Sequence, residues 1–391
     1  MRDVYLIGAG QSRFGSFPDE TYRTLFETAV DEALSSIDSL ERTDIDESFV
    51  GTLGVGGRQI GLSGPAVTEF AGIQGIPTTR VENACAASGY AIRSAVQAVK
   101  SGMADIVLAG GYEVMTDTSG DVTRYWLGVS GETEWERLAG TTFSGVYAQM
   151  ASAHMERYGT TADQLGAVAV KNHDHGSRNP KAHLGFTCTM DDVRSAPIIA
   201  DPLNLYHCCP TTDGAAAVII AAPSVARELA DTPIKITGVG AASDGVGLFQ
   251  RDTYTSLPAS RRAAEQAYEM ADIGPEDLDL AEVHDCFAIA ELLAYEDLGI
   301  CEPGGAGELV ESGATALGGD LPVNTSGGLK SKGHPIGATG ASQAVEIFEQ
   351  LTNNAGDRQV DGARIGLTHN VGGSGGAAVV HLFERLEEVP A

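Results

Sequence analysis

Cys85 stands at a junction where a thiol could do chemistry. Residues 77–82 read as a short β segment, residues 83–89 (NACAASG) as a tight turn, and the apolar spacing of Ala91, Ala95, Val96, Ala98 and Val99 as a helix. A Cys in such a turn lies at a helix N-terminus, where free N–H groups and the macrodipole favour an anion. That setting pulls a thiol pKa below about 8.5 and predicts a nucleophilic thiolate. The small neighbours leave room for a carbonyl. The competing reading is a buried structural Cys.

Three further segments carry residues that a two-step acyl transfer needs. HDCF (residues 284–287) follows a buried apolar run and precedes a helical one. His284 and Cys286 are two apart, so at a strand end they point the same way. They suit proton transfer and oxyanion contact, or else a capping His and a packed Cys. Residues 324–340 (NTSGGLKSKGHPIGATG) set His334 among five glycines in a stretch with no regular period, with Pro335 fixing the chain after it. Lys330 and Lys332, a third of the six lysines, fit either a phosphate-bearing ligand or a salt-bridged surface pair. Residues 368–376 (THNVGGSGG) offer a Gly-rich turn whose N–H groups can form a nest for an oxyanion. They lack the Lys-Ser/Thr ending of a phosphate loop.

The elements that position these segments alternate. Strands are predicted at 1–8, 50–55, 105–111, 215–221, 234–239, 280–283, 322–324, 365–369 and 377–383, and helices at 21–36, 90–100, 260–270, 288–298 and 340–350. This is an α/β pattern. Between about 112 and 200 it lapses into polar, Gly- and His-containing sequence with two helices near 145–157 and 161–178. Such a stretch reads as an insertion covering something. The run 81–83 before a small-residue turn and helix parallels 323–325 before the helix from Gly340. The parallel predicts an internal duplication.

The chain has 391 residues, 43 % of them hydrophobic, enough for one or two domains. Its 49 glycines and 6 % aromatic content suit tight strand–helix turns and argue against a coiled coil. No apolar run is long enough for a membrane helix, and the start MRDVYLIG enters a strand with no signal-peptide pattern; a cytoplasmic protein is expected. None of the six Cys pairs as C-x-x-C, so no zinc site, no redox motif and reduced thiols are expected. The 53 acidic against 25 basic residues give a net charge of −28, which repels nucleic acid and anionic membranes. Because the acids are spread along the chain, they predict a surface adapted to high salt, where screening relieves self-repulsion.

Together the four segments resemble the thiolase superfamily over nearly the whole chain: NACAASG its nucleophile block, GHPIGATG its signature and GGSGG (residues 372–376) its C-terminal Gly block. The resemblance implies two duplicated βαβαβαββ halves forming a layered αβαβα core, residues 1–260 with a loop-domain insertion at about 112–200, and residues 261–391. It implies an acyltransferase: an acetyl-CoA C-acetyltransferase condensing two acetyl-CoA, with a 3-oxoacyl-CoA thiolase of broader chain length as the alternative. By it Cys85 is the acylated nucleophile, His334 activates it, and the N–H groups of Gly372 and Cys85 form an oxyanion hole. Ser243 falls where thiolases contact pantetheine. Many thiolases carry Asn-Glu-Ala-Phe in place of HDCF and a Cys in place of Asn370. The versions here are similar to the sterol-carrier-protein-2 type and its archaeal relatives, which assigns acid/base work to Cys286, oxyanion or water binding to His284, and substrate contact to Asn370. The Asn370 change also leaves room for a non-catalytic acyl-CoA-binding scaffold. His207, Cys208 and Cys209 match no motif and read as structural. No cofactor or metal is implied beyond coenzyme A thioesters as substrates. A homo-dimer or tetramer, a small zinc-ribbon/OB-fold partner subunit and a downstream synthase are the implied partners, with mevalonate or polyhydroxyalkanoate synthesis as the setting.

Overall fold

In the computed structural model, which describes residues 2–58 and 60–390, strand alternation decides the layering. Along β1 (Tyr5–Gln11), Tyr5 and Ile7 enter one core while Leu6 enters another. Ala215, Ala217 and Ile219 of a later strand (Gly214–Ala221) join the first core, and Ala216, Val218 and Ile220 the second. Strands apolar on both faces are buried on both faces, so helices lie above and below.

The strands are β1, β2 (Glu47–Gly51), β3 (Thr78–Val81), β4 (Ile106–Glu113), β5 (Ile198–Ala200), β6 (Leu203–Asn204), β7 (Gly214–Ala221), β8 (Ile234–Ser243), β9 (Leu280–Glu282), β10 (Ile365–Gly372) and β11 (Ala377–Arg385). Among the described residues nine of them form one sheet, in the order β3-β2-β4-β7-β1-β8-β11-β10-β9, and β5 pairs with β6. The order is symmetric about the β1–β8 seam. β2 is parallel to β3 and β4, β4 antiparallel to β7, and β7 antiparallel to β1. Beyond the seam β9 is parallel to β10, β10 antiparallel to β11, and β11 antiparallel to β8. The expected strand at 322–324 shrinks to a parallel bridge of Val323 to Ala281, and it fills the place that β3 holds in the first half.

The two halves also share a packing device. A Cβ on Gly10 would stand 2.4 Å from Ala33 N and 2.5 Å from Ala29 O, and one on Gly240 would stand 1.8 Å from Ala263 O. In each half a Gly on the first strand lets a helix, Tyr22–Ser35 or Pro258–Ala271, settle directly onto the sheet.

Helices Ala87–Ser101 and Thr339–Leu351 form the middle layer. Their N-termini meet: Ala341 N–H donates to Ser88 Oγ at 3.0 Å, and a Cβ on Gly340 would lie 2.4 Å from Gly89 N. The segments just before the two helices, one with Cys85 and one with His334, are therefore brought together by the deepest packing in the molecule.

The insertion holds the two expected helices, Phe143–Tyr158 and Ala162–Ser177, and adds Gly120–Gly128, a π-turn Thr133–Arg137 and Met190–Ser195. The stretch 324–340 is more regular than its sequence suggests, with a helical turn Gly328–Ser331 inside it. Lys330 and Lys332 are only 1 % and 2 % exposed, so neither is a surface residue. Lys332 Nζ faces Glu282 at 3.7 Å, inside the core. Among the described residues no helix is long and apolar enough to cross a membrane.

Candidate active site

Cys85, His284 and His334 converge: the sulfur and one nitrogen of each imidazole lie within 4.8 Å of one another. The His284 and His334 rings meet edge to face, with centroids 5.1 Å apart. Cys85 follows Ala84, held at φ 49°, a left-handed conformation costly for a residue with a side chain. That kink turns the chain from β3 into the helix Ala87–Ser101 and presents the thiol at the junction.

The hydrogen-bond network assigns a different tautomer to each imidazole. Thr339 Oγ1 donates its proton to Pro335 O (3.0 Å), so His334 Nδ1–H must donate to Thr339 Oγ1 (2.7 Å). His334 Nε2 therefore carries a free lone pair. Asn370 Nδ2 spends one N–H on Cys85 O (3.0 Å) and the other on His284 Nδ1 (3.2 Å). His284 thus carries its proton on Nε2, buried and without a partner. One ring offers a base and the other a donor. Removing the Thr339 acceptor forfeits a hydrogen bond of about 1 kcal/mol. We expect Thr339→Val to lower kcat about fivefold with little change in KM, and an unchanged kcat would show that the tautomer needs no such support.

Burial overrides the helix end at the sulfur. Desolvation, with nearby Cys209 adding to it, raises the Cys85 thiol to about 12, and the N–H groups of Gly373 and of Cys85 itself oppose the rise incompletely. A helix terminus favours an anion by only about 0.3–1 kcal/mol, less than the cost of taking a thiolate out of water. The resting group is a thiol, contrary to the thiolate expected from the turn. Burial also lowers His334 to about 3, and it holds His284 well below the ordinary imidazole value, with His334 and His369 adding to the effect. The pair at rest is neutral thiol and neutral imidazole.

Cys286 lines the same cavity, 5 % exposed, and burial pushes its thiol far up. The cavity, about 480 Å³, is floored by Cys85, Cys286, His334 and Gly373. Gly373 replaces the expected Gly372 at the sulfur: Gly372 closes β10 opposite Ala377, one residue short. Asn370 is a brace, since both its N–H groups are committed to the protein. Ser243 lies at the exposed end of β8, its carbonyl taking Arg262 Nη2 at 2.8 Å, and does not line the cavity.

Four contributors carry no sequence signal. Cys208 and Cys209, read as structural, line the cavity, and Cys209 N–H donates to Cys286 O at 3.1 Å. Tyr147, from the insertion, hydrogen-bonds Gly373 O at 3.2 Å and stacks on Phe287 at 4.6 Å. Glu113 accepts the N–H groups of Leu53, Gly54 and Val55 at 2.9–3.0 Å and of Gly337 at 3.2 Å, pinning the His334 loop to the first half. Only Tyr147 could have been suspected, as a bulky residue in a segment read as a cover.

A duplicated α/β sheet whose two central helices bring Cys85 and His334 together beside His284 defines a thiol-based acyl-transfer class of protein. The comparisons give the family. Residues 4–224 match the model "Thiolase, N-terminal domain" and residues 240–385 match "Thiolase C-terminal domain-like", so the chain belongs to the thiolase family. It is 45 % identical to the acetyl-CoA acetyltransferase of Methanothermobacter thermautotrophicus over 389 residues, covering 98 % of this chain and 100 % of that one. It is 34 % identical to human sterol carrier protein 2 over 409 residues, covering 98 % of this chain and 72 % of that one. In fold it superposes on the solved Ltp2-ChsH2(DUF35) aldolase, TM-score 0.85 at 24 % identity, covering 99 % of this chain and 98 % of that one. Human mitochondrial 3-ketoacyl-CoA thiolase follows at TM-score 0.76 and 18 % identity, covering 98 % and 99 %.

Proposed function

We propose that the protein is an acetyl-CoA C-acetyltransferase that condenses two acetyl-CoA into acetoacetyl-CoA and CoA, and runs the reverse thiolysis, through an acyl group carried on Cys85. The observation that carries this reading is the convergence, within 4.8 Å, of a thiol and two imidazoles of opposite tautomer. The near-full-length similarity to an archaeal protein of that name supports it.

Each group has a task its environment suits. His334 Nε2 takes the Cys85 proton as the sulfur attacks the thioester carbonyl. The N–H groups of Cys85 and Gly373 hold the developing oxyanion. CoA departs as a thiol, taking the proton of Cys286 and leaving a thiolate whose high proton affinity makes it a strong base. Cys286 then removes an α-proton from the second acetyl-CoA. The enolate oxygen is held by His284 Nε2–H and by His334, now protonated. The carbanion attacks acyl-Cys85, and the released sulfur regains its proton from His334. Mass spectrometry of the intact protein after acetyl-CoA addition tests this: an acetyl adduct is expected, absent in Cys85→Ser. A wild-type protein that takes no adduct is a scaffold and not an enzyme.

The finer readings belong here too. A cytosolic setting agrees with six unpaired thiols. A small DUF35-type subunit is proposed as a partner because a neighbour in fold is solved as an Ltp2-ChsH2(DUF35) assembly. Salt adaptation rests on the charge of −28. Lowering ionic strength from 1 M to 0.1 M lengthens the screening distance from about 3 to 10 Å, so the melting temperature is expected to fall by at least ~10 °C across that range. An unchanged melting temperature would remove halophily from the reading.

A further inference from the structure

The cavity over Cys85 extends to the helix Gly120–Gly128 and the π-turn Thr133–Arg137, where Arg124 and Arg137 line it. Arg124 is answered by Asp121 at 2.9 Å. Among the described residues no acid answers Arg137. Its guanidinium carbon lies 5.1 Å from the Tyr125 ring centroid, its Nε is buried without a hydrogen bond, and among the described residues no carboxylate pairs with it.

This isolation is built into the local structure. Glu132 accepts the N–H groups of residues 134, 135 and 136, and Glu136 accepts that of Leu248, so two neighbouring acids are spent on the backbone. Gly128 lies beneath the Arg137 stem, where a Cβ would stand 3.1 Å from Cγ and Cδ. A chain with 53 acidic residues thus holds a guanidinium in a fixed place, stacked on a ring, partly dry and facing a ligand cavity with its charge unmet. A guanidinium fork matches the paired oxygens of a phosphate or carboxylate, and a half-desolvated one gains most from meeting them.

We propose that Arg137 binds an anionic oxygen group, phosphate or carboxylate, of the thioester that occupies the cavity over Cys85, a role that rests on the thiolase reading above. The group comes either from the phosphates of coenzyme A or from a carboxylate at the far end of the acyl chain. Kinetics of Arg137→Gln and Arg137→Lys separate the two. Thiolysis is measured with acetoacetyl-CoA, with acetoacetyl-pantetheine, which lacks the phosphates, and with a 3-oxoacyl-CoA bearing a terminal carboxylate.

The expected result is a KM raised roughly 10- to 100-fold in Arg137→Gln, the worth of a charge-assisted hydrogen bond, with kcat within about twofold and partial recovery in Arg137→Lys. A penalty on acetoacetyl-CoA but not on the pantetheine ester assigns the phosphates. A penalty confined to the carboxylate-bearing substrate assigns the acyl end. Unchanged KM for all three overturns the proposal while leaving the thiolase reading intact; a wild-type protein without thiolysis overturns that reading instead. Should Arg137→Gln melt early, labelling of the wild-type protein with phenylglyoxal and peptide mapping decide: acetyl-CoA or the carboxylate-bearing 3-oxoacyl-CoA is expected to shield Arg137, and equal labelling without either and with each refutes the contact.

Discussion

Cys286→Ala is expected to retain the acetyl adduct on Cys85 and to lose condensation by about 10²- to 10⁴-fold, the contribution of a positioned acid/base. The two half-reactions place different demands on proton transfer. Acylation needs a base for the Cys85 proton, and His334 supplies it; with Cys286 gone, the departing thiolate can draw a proton back from the same ring. Condensation needs a base strong enough to take a proton from carbon. Cys286 is 5 % exposed, and its thiol is pushed far up by burial, with Cys85 and Asp285 adding to this. Tyr147 and Lys330 oppose that rise and so stabilise the thiolate once it forms. Once the departing CoA has taken its proton, a thiolate with that proton affinity is a strong base. Near-normal condensation by Cys286→Ala would move the role to another thiol, and Cys209, whose N–H holds the Cys286 carbonyl, is the nearest candidate.

The parts legible in the sequence were those fixed by local rules. Cys85, His284, Cys286 and His334 stand in turns that interrupt clear strand and helix periods, Asn370 stands near the end of β10 just before a Gly-rich turn, and small residues mark where a backbone must pass close to another. The duplication was legible for the same reason, because residues 81–83 and 323–325 each lead through a small-residue turn into a helix. What was not legible depends on distance in the chain. Glu113 acts on Gly337, 224 residues away, and Cys209 reaches Cys286 across 77 positions, with no periodicity to announce either. The thiolate expected at Cys85 failed on magnitude: a turn of sequence shows a helix end but not how much water is removed from the sulfur. Lys330 and Lys332 misled in the same way, since composition made them stand out and only packing shows them to be internal. Arg137 lay in the stretch where the α/β pattern lapses, so its place over the cavity had no local mark.

His334→Ala is expected to slow acylation by at least about 10³-fold at neutral pH, and its pH dependence identifies the cause. With the Cys85 thiol at about 12, about one molecule in 10⁵ carries a thiolate at pH 7. In the wild-type protein His334 sits at about 3 and Cys85 at about 12, so between pH 7 and 10 both remain neutral. The proton moves to His334 only as the carbon–sulfur bond forms, and the acylation rate is expected to be flat across that range. Without the imidazole, reaction must wait for free thiolate, whose fraction grows tenfold per pH unit until the thiol pKa is reached. The variant's rate should therefore climb with unit slope from pH 7 to 10 and narrow the gap to wild type, read as burst-phase adduct formation with acetyl-CoA. A variant profile that levels off near pH 8 or 9 would mean that the sulfur ionises like an ordinary thiol. Burial would then not be what makes the second ring necessary, and the helix end would regain the role the sequence suggested for it.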